Sequence, residues 1–84
     1  MTRQEFYERY GSVKVKFSSY YKYKFTYVAT LPDGKQLICR YGGDSHDVYR
    51  HEVNVNNEET VNSLQPYEGA VFQDDKEVEG FYDY

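Results

Sequence analysis

The spacing of apolar and polar positions along the chain changes period at Ser12. Before it, Thr2 is a good helix N-cap and Glu5, three residues on, completes a capping box; Phe6 and Tyr10 share one helical face. Gly11 follows where a left-handed helix stop favours glycine, so a helix over residues 3–10 is expected. After Ser12 the period is two. Val13, Val15 and Phe17 alternate with Lys14, Lys16 and Ser18, and the pattern resumes as Tyr21, Tyr23, Phe25 and Tyr27 against Lys22, Lys24, Thr26 and Val28. This reads as two strands reversing at Ser18-Ser19-Tyr20, or as one long bent strand. Pro32-Asp33-Gly34 marks a firmer turn, with a strand over residues 35–41 returning from it.

Past a loop at Gly42-Gly43-Asp44-Ser45, residues 48–55 have strand composition and alternate Tyr49, His51, Val53 and Val55 against Val48, Arg50, Glu52 and Asn54. Residues 56–65 fit either one or two helical turns capped by Asn57 and ending before Pro66, or an ordered loop. Residues 70–73 and 78–82 read as a terminal hairpin around Asp74-Asp75-Lys76. These elements predict an α+β fold in a single compact domain over residues 1–84. A short N-terminal helix packs on a curved antiparallel sheet of about five strands, with closure toward a small, partly open barrel as its variant.

Composition sharpens this picture. Eleven of the hydrophobic residues are tyrosines and nine are valines, which favours strands and suits a thin domain whose sheet is half covered. The mean hydropathy of -0.90 is low, yet so aromatic and β-branched a chain is unlike a disordered one. A lone cysteine, Cys39, supports neither an internal disulfide nor a cysteine zinc site, so folding rests on apolar burial. No apolar run approaches the roughly 18 residues of a membrane span, and the first ten residues lack a signal peptide's apolar stretch, so a soluble, cytoplasmic protein is expected.

Charge is unevenly distributed. Residues 1–41 carry eight basic side chains against three acids, residues 42–84 two against eleven. Such a split either marks partner-binding surfaces or cancels where an acidic strand lies beside a basic one. At the acidic end, Tyr67, Asp74, Asp75, Glu77, Glu79, Tyr82, Asp83 and Tyr84 are candidates for contact with another protein bearing a basic surface. The same acids would also suit a decoy that occupies the basic groove of a nucleic-acid-binding protein. At the basic end, Lys14, Lys16, Lys22 and Lys24 with Tyr20 are candidates for single-stranded nucleic acid. Most aromatics there share the opposite parity from the lysines and read as core, and the pI of about 5.0 is low for a dedicated nucleic-acid domain.

Catalytic constellations are thin. His46 and His51 lie near Asp44, Asp47 and Glu52, but five residues apart on a strand they face opposite ways, so no metal site is assigned. Cys39 shares parity with Leu37 and Tyr41 and reads as core. There is no glycine-rich phosphate loop or nucleophile elbow. No catalytic residue and no cofactor is therefore expected. The sequence reads as a small non-enzymatic protein-interaction module, an adaptor or inhibitor.

Overall fold

The computed structural model describes residues 1–54 and 56–83. Along the chain run α1 (Arg3–Tyr10), β1 (Lys14–Tyr21), β2 (Lys24–Thr30), β3 (Gln36–Gly42), α2 (Ser45–Val53), β4 (Glu58–Thr60), α3 (Val61–Leu64), β5 (Glu68–Gln73) and β6 (Lys76–Tyr82). The strands form one open antiparallel sheet in the order β4-β1-β2-β3-β5-β6. The fold is thus α+β as expected. It has six strands rather than five, because β4 adds a short edge strand beside β1, and it does not close into a barrel.

The N-terminal helix forms as its caps dictate. Thr2 Oγ1 accepts from the Glu5 N–H at 3.1 Å and the Glu5 carboxylate accepts from the Thr2 N–H at 2.9 Å. Gly11, however, is not a left-handed stop: its φ is -59°. It is glycine for want of space, since a Cβ there would lie 2.3 Å from the Tyr7 carbonyl oxygen and 2.4 Å from the Asn62 side chain.

Ser18-Ser19-Tyr20 is not a reversal. β1 runs through it with a bulge between Phe17 and Ser19, and the chain turns at Lys22-Tyr23, where Lys22 takes φ +58° and Tyr21 pairs with Lys24. Tyr21 and Tyr23 are therefore 71% and 55% exposed rather than core. The Pro32-Asp33-Gly34 turn forms with Gly34 at φ +91°, and Asp33 Oδ1 accepts from the Lys35 N–H at 3.0 Å. In the terminal hairpin Asp74 and Asp75 both take positive φ, 52° and 66°, which is how a tight turn forms there without glycine.

The expected strand over residues 48–55 is a helix. Asp44 caps α2, accepting from the N–H groups of His46 and Asp47 at 2.9 and 3.3 Å, while the Asp47 carboxylate returns to the Asp44 N–H at 3.0 Å. Val48 and His51 then share the inward face at helical spacing, which overrides the valine and tyrosine content of the segment. Val55 lies outside the described residues. In the ambiguous stretch the helix is α3, capped by Thr60 rather than Asn57, with Gln65 in the left-handed conformation at φ +54° before Pro66.

All three helices lie over one face of the sheet. Its central row runs Phe17, Tyr27, Cys39, Gly69, Phe81 across five strands, and Val15, Phe25, Leu37, Tyr41 and Val71 complete the buried layer. α1 lowers Phe6 onto β5 and β6: its ring centroid lies 4.7 Å from that of Phe81. Gly69 makes that seat, because a Cβ there would lie 2.5 Å from Phe6 Cζ. Gly69→Ala should therefore destabilise the fold by about 1–3 kcal/mol through overpacking, read as a lower urea midpoint at unchanged m-value. A neutral result would mean that α1 does not dock where described.

Candidate functional site

Two groups of residues concentrate chemistry: a polar cluster beneath α2, and the sheet face that carries no helix. The first is centred on His51, which is 1% exposed. Its Nδ1 lies 2.6 Å from the Asp47 carbonyl oxygen one helical turn back; a carbonyl only accepts, so Nδ1 carries the proton. Nε2 is then left to accept the Tyr27 hydroxyl, at 2.7 Å, and Asn57 Nδ2 donates to that hydroxyl oxygen at 3.0 Å. The imidazole is walled by Phe17 and Phe25, with centroids 4.4 and 4.7 Å away. Burial pushes the Tyr27 hydroxyl pKa far above that of a free tyrosine.

Beside this cluster Arg50 reaches the Tyr41 hydroxyl at 2.8 Å, Glu59 at 3.4 Å and Asp47 at 3.5 Å. Burial works to raise the Asp47 pKa, but hydrogen bonds from the Asp44 N–H and the Tyr41 hydroxyl, together with the Arg50 charge, hold it below the ordinary carboxylate value. Every buried side-chain polar atom among the described residues has a partner. The buried polar atoms of the cluster are hydrogen-bonded to one another and to the backbone of α2. His46, by contrast, is exposed in the first turn of α2, and among the described residues no three of His, Cys, Asp and Glu gather as a metal site would require. Cys39 is buried, with its thiol pKa pushed up to about 12 by burial.

The open face is differently furnished. One row runs Lys16, Val28, Ile38, Ala70; the next Thr26, Arg40, Glu68, Tyr82; a third Gln36, Phe72, Glu77. Val28, Ile38 and Phe72 are half-buried and stand outside the helix-covered core. Arg40 ties the middle row together, donating to Thr26 Oγ1 and to Glu68 Oε2, each at 3.2 Å. At the turn end of β5, Gly34, Gln36, Ile38, Phe72, Asp74 and Asp75 line a groove of about 570 Å³ with an apolar floor and an acidic rim.

The structure divides the acidic candidates. Glu79 faces the helices and pairs with Arg9 at 2.5 Å while accepting from the Tyr10 hydroxyl, and Asp83 pairs with Arg3 at 3.2 Å. Tyr67 is half-buried, its N–H on the Arg40 carbonyl at 2.9 Å. α1 and the sheet thus engage these three, whereas Asp74, Asp75, Glu77 and Tyr82 stay exposed at the β5–β6 side, the Tyr82 hydroxyl donating to Glu77. Tyr84 lies outside the described residues.

The basic candidates are divided as well. Lys14, Lys16 and Lys24 share the open face and Lys22 sits at the turn, none of them in an ion pair among the described residues. Tyr20 is not with them. The bulge shifts parity, so Tyr20 lies on the helix side, 5.6 Å from Phe25 by ring centroid, and donates to Glu52 at 3.0 Å. Tyr21 takes the open-face position instead. Ile38, Phe72 and Val28 were not among the candidates; the signal for them was apolar residues of both parities in β2, β3 and β5, the mark of strands with two apolar faces.

No family model, curated protein or solved structure matches this chain. Two expectations test the buried cluster. Tyr27→Phe, which removes the 2.7 Å partner of His51 Nε2 and leaves it only Asn57 Nδ2 at 3.4 Å, should destabilise the protein by about 1–3 kcal/mol in denaturant titration. Cys39 should resist alkylation at pH 8 in the native state and react once unfolded in urea. Because its folded pKa lies above the unfolded value of about 8.5, its contribution to stability is full below that pH and is lost as pH rises past it.

Proposed function

We propose that this chain is a non-enzymatic protein-interaction module that docks through its open sheet face onto a partner with a basic surface. One observation carries the reading: Val28, Ile38 and Phe72 form a half-exposed apolar band with no helix over it, bordered by Asp74, Asp75 and Glu77, none of which is in an ion pair among the described residues. An apolar centre with a charged rim is the anatomy of a protein contact. Lysine or arginine stems of a partner would lie along Phe72 and Ile38 while their charged ends meet the aspartates. A non-enzymatic role is supported by the saturation of His51 and by the burial and high pKa of the single thiol. A lone reduced cysteine and no disulfide suit the cytoplasm. No helix among the described residues is long and apolar enough to cross a membrane.

A second reading, single-stranded nucleic acid on the basic side, is favoured by one feature: Tyr21 and Tyr23, both exposed, interleave with Lys22 and Lys24 at the β1–β2 turn. It differs from the acidic decoy, which would need the carboxylates of Glu79 and Asp83 that α1 already engages. Affinity capture from nuclease-treated lysate with the wild type and Phe72→Glu separates the readings. The first expects a stoichiometric protein partner, lost at least tenfold with the folded variant. Equal capture by Phe72→Glu would refute it. A capture that collapses with nuclease, and a log-log salt slope near -3 for about four phosphate contacts, would establish the second.

A further inference from the structure

Apart from Glu58, which stands beside Lys16 on the neighbouring β4, the open-face charges in no ion pair among the described residues separate to its two sides, and this limits what can cover it. Lys14 and Lys16 stand on β1, second in the sheet order, with Lys24 on β2; Glu77 is on β6, last in the order, and Asp74 and Asp75 on the turn leading into it. β1 and β6 are four strand spacings apart, about 19 Å. Between them lie Val28, Ile38 and Phe72. Such a face is complementary to a copy of itself turned over about an axis parallel to the strands between β2 and β3. We infer that the first occupant of the open face is a second copy of this chain, in a two-fold dimer that seats Lys14 of each copy in the groove formed by Ile38, Phe72, Asp74 and Asp75 of the other.

The register makes the match specific. About that axis β1 of one copy lies over β5 of the other, β2 over β3 and β4 over β6. Val28 then meets Ile38, Lys16 meets Ala70 and Thr26 meets Arg40, by the rows in which these residues pair. Lys14, one step along its strand, comes over Phe72 and the acidic rim. Two like-charge approaches remain: Glu58 of β4, the open-face neighbour of Lys16, falls over Gly80 of the other β6, one row from Glu77, and the two Arg40 side chains flank the axis, each paired with its own Glu68. The other two-fold that keeps the strands aligned, perpendicular to them, lays β1 on β1 and β6 on β6, bringing the lysine-bearing strands together and the Glu77-bearing strands together, which is repulsive. Aligned packing of two such faces places the sheets about 10 Å apart, a gap that the half-exposed apolar side chains fill.

The six strands give a footprint of about 24 by 24 Å from strand spacing and rise. That is on the order of 600 Å² per copy, below the roughly 800 Å² of a standard interface, so the dimer should be weak, micromolar or weaker, and salt-sensitive. The inference rests on the reading of the open face as a contact surface; the two copies and any other partner would compete for it.

Sedimentation over about 5 to 500 µM, spanning the affinity expected for so small an interface, should show the 10.0 kDa chain doubling in mass at low salt. Lys14→Glu/Lys16→Glu, and separately Asp74→Asn/Asp75→Asn/Glu77→Lys, should each be folded by circular dichroism and at least tenfold weaker in self-association. Mixed one to one they should dimerise again, because the heterodimer keeps one native charge contact and makes one reversed contact. A monomeric wild type throughout the range, variants that dimerise as the wild type does, or a mixture no tighter than its components would each overturn the inference. A monomeric wild type whose partner capture still falls with Phe72→Glu would refute the dimer and leave the docking reading standing. A dimer by the mixing test with capture unaffected by Phe72→Glu would do the reverse.

Discussion

The imidazole of His51 fixes which side of this sheet the helices occupy. Held at Nδ1 by its own helix and at Nε2 by Tyr27 of the central strand β2, it is wedged between Phe17 and Phe25. A buried polar ring of this kind is tolerated only when both nitrogens are satisfied, so the position of α2 is specified by hydrogen bonds as well as by apolar area. With α2 committed, the chain crosses to the far edge to add β4 beside β1, and returns through α3 to place β5 against β3. The apolar layer formed by Phe6, Leu37, Val61, Val71 and Phe81 closes on the same side. One face is consumed and the other is left bare.

The same division governs charge. Arg3, Arg9 and Arg40 from the basic half each reach a carboxylate of the acidic half, at Asp83, Glu79 and Glu68. Exposed pairs of this kind contribute about 0–1 kcal/mol each, but together they determine which charges remain available outside. Guanidinium groups suit such fixed pairing; the ammonium groups of Lys14, Lys16 and Lys24 remain on flexible stems over the open face. The sequence-level imbalance between the two halves is therefore partly cancelled inside the fold. Of the charges outside these pairs, Lys14, Lys16 and Lys24 lie at one side of the open face and Asp74, Asp75 and Glu77 at the other.

Much of the fold was legible wherever local signals agreed. The Thr2–Glu5 box, the Val13-Val15-Phe17 alternation and the Pro32-Asp33-Gly34 turn each carry their own physics, and each appears as read. The α2 segment misled because its valines and tyrosines happen to alternate, while the decisive Asp44–Asp47 box uses aspartate where glutamate or glutamine is usual. The β1 bulge was invisible because parity counted from sequence assumes an unbroken ladder; one extra residue at Ser18 sends Tyr20 to the helices and Tyr21 to solvent. Of the site, the acidic turn was legible from composition. The apolar floor was not, since Ile38 and Phe72 look like core until the sheet order shows that no helix among the described residues covers them.

Neighbouring residues on β3 offer the most direct test of the two-faced sheet. Ile38 is the single isoleucine of the chain and points to the open face, while Leu37, beside it, is fully buried under the helices. Paramagnetic relaxation of their methyl resonances by an inert water-soluble agent, followed through a dilution series, reads both sides at once. At high dilution the Ile38 methyls should relax strongly and those of Leu37 hardly at all, with protection of Ile38 alone growing as concentration rises. Equal protection of Ile38 and Leu37 in the dilute chain would contradict an open face.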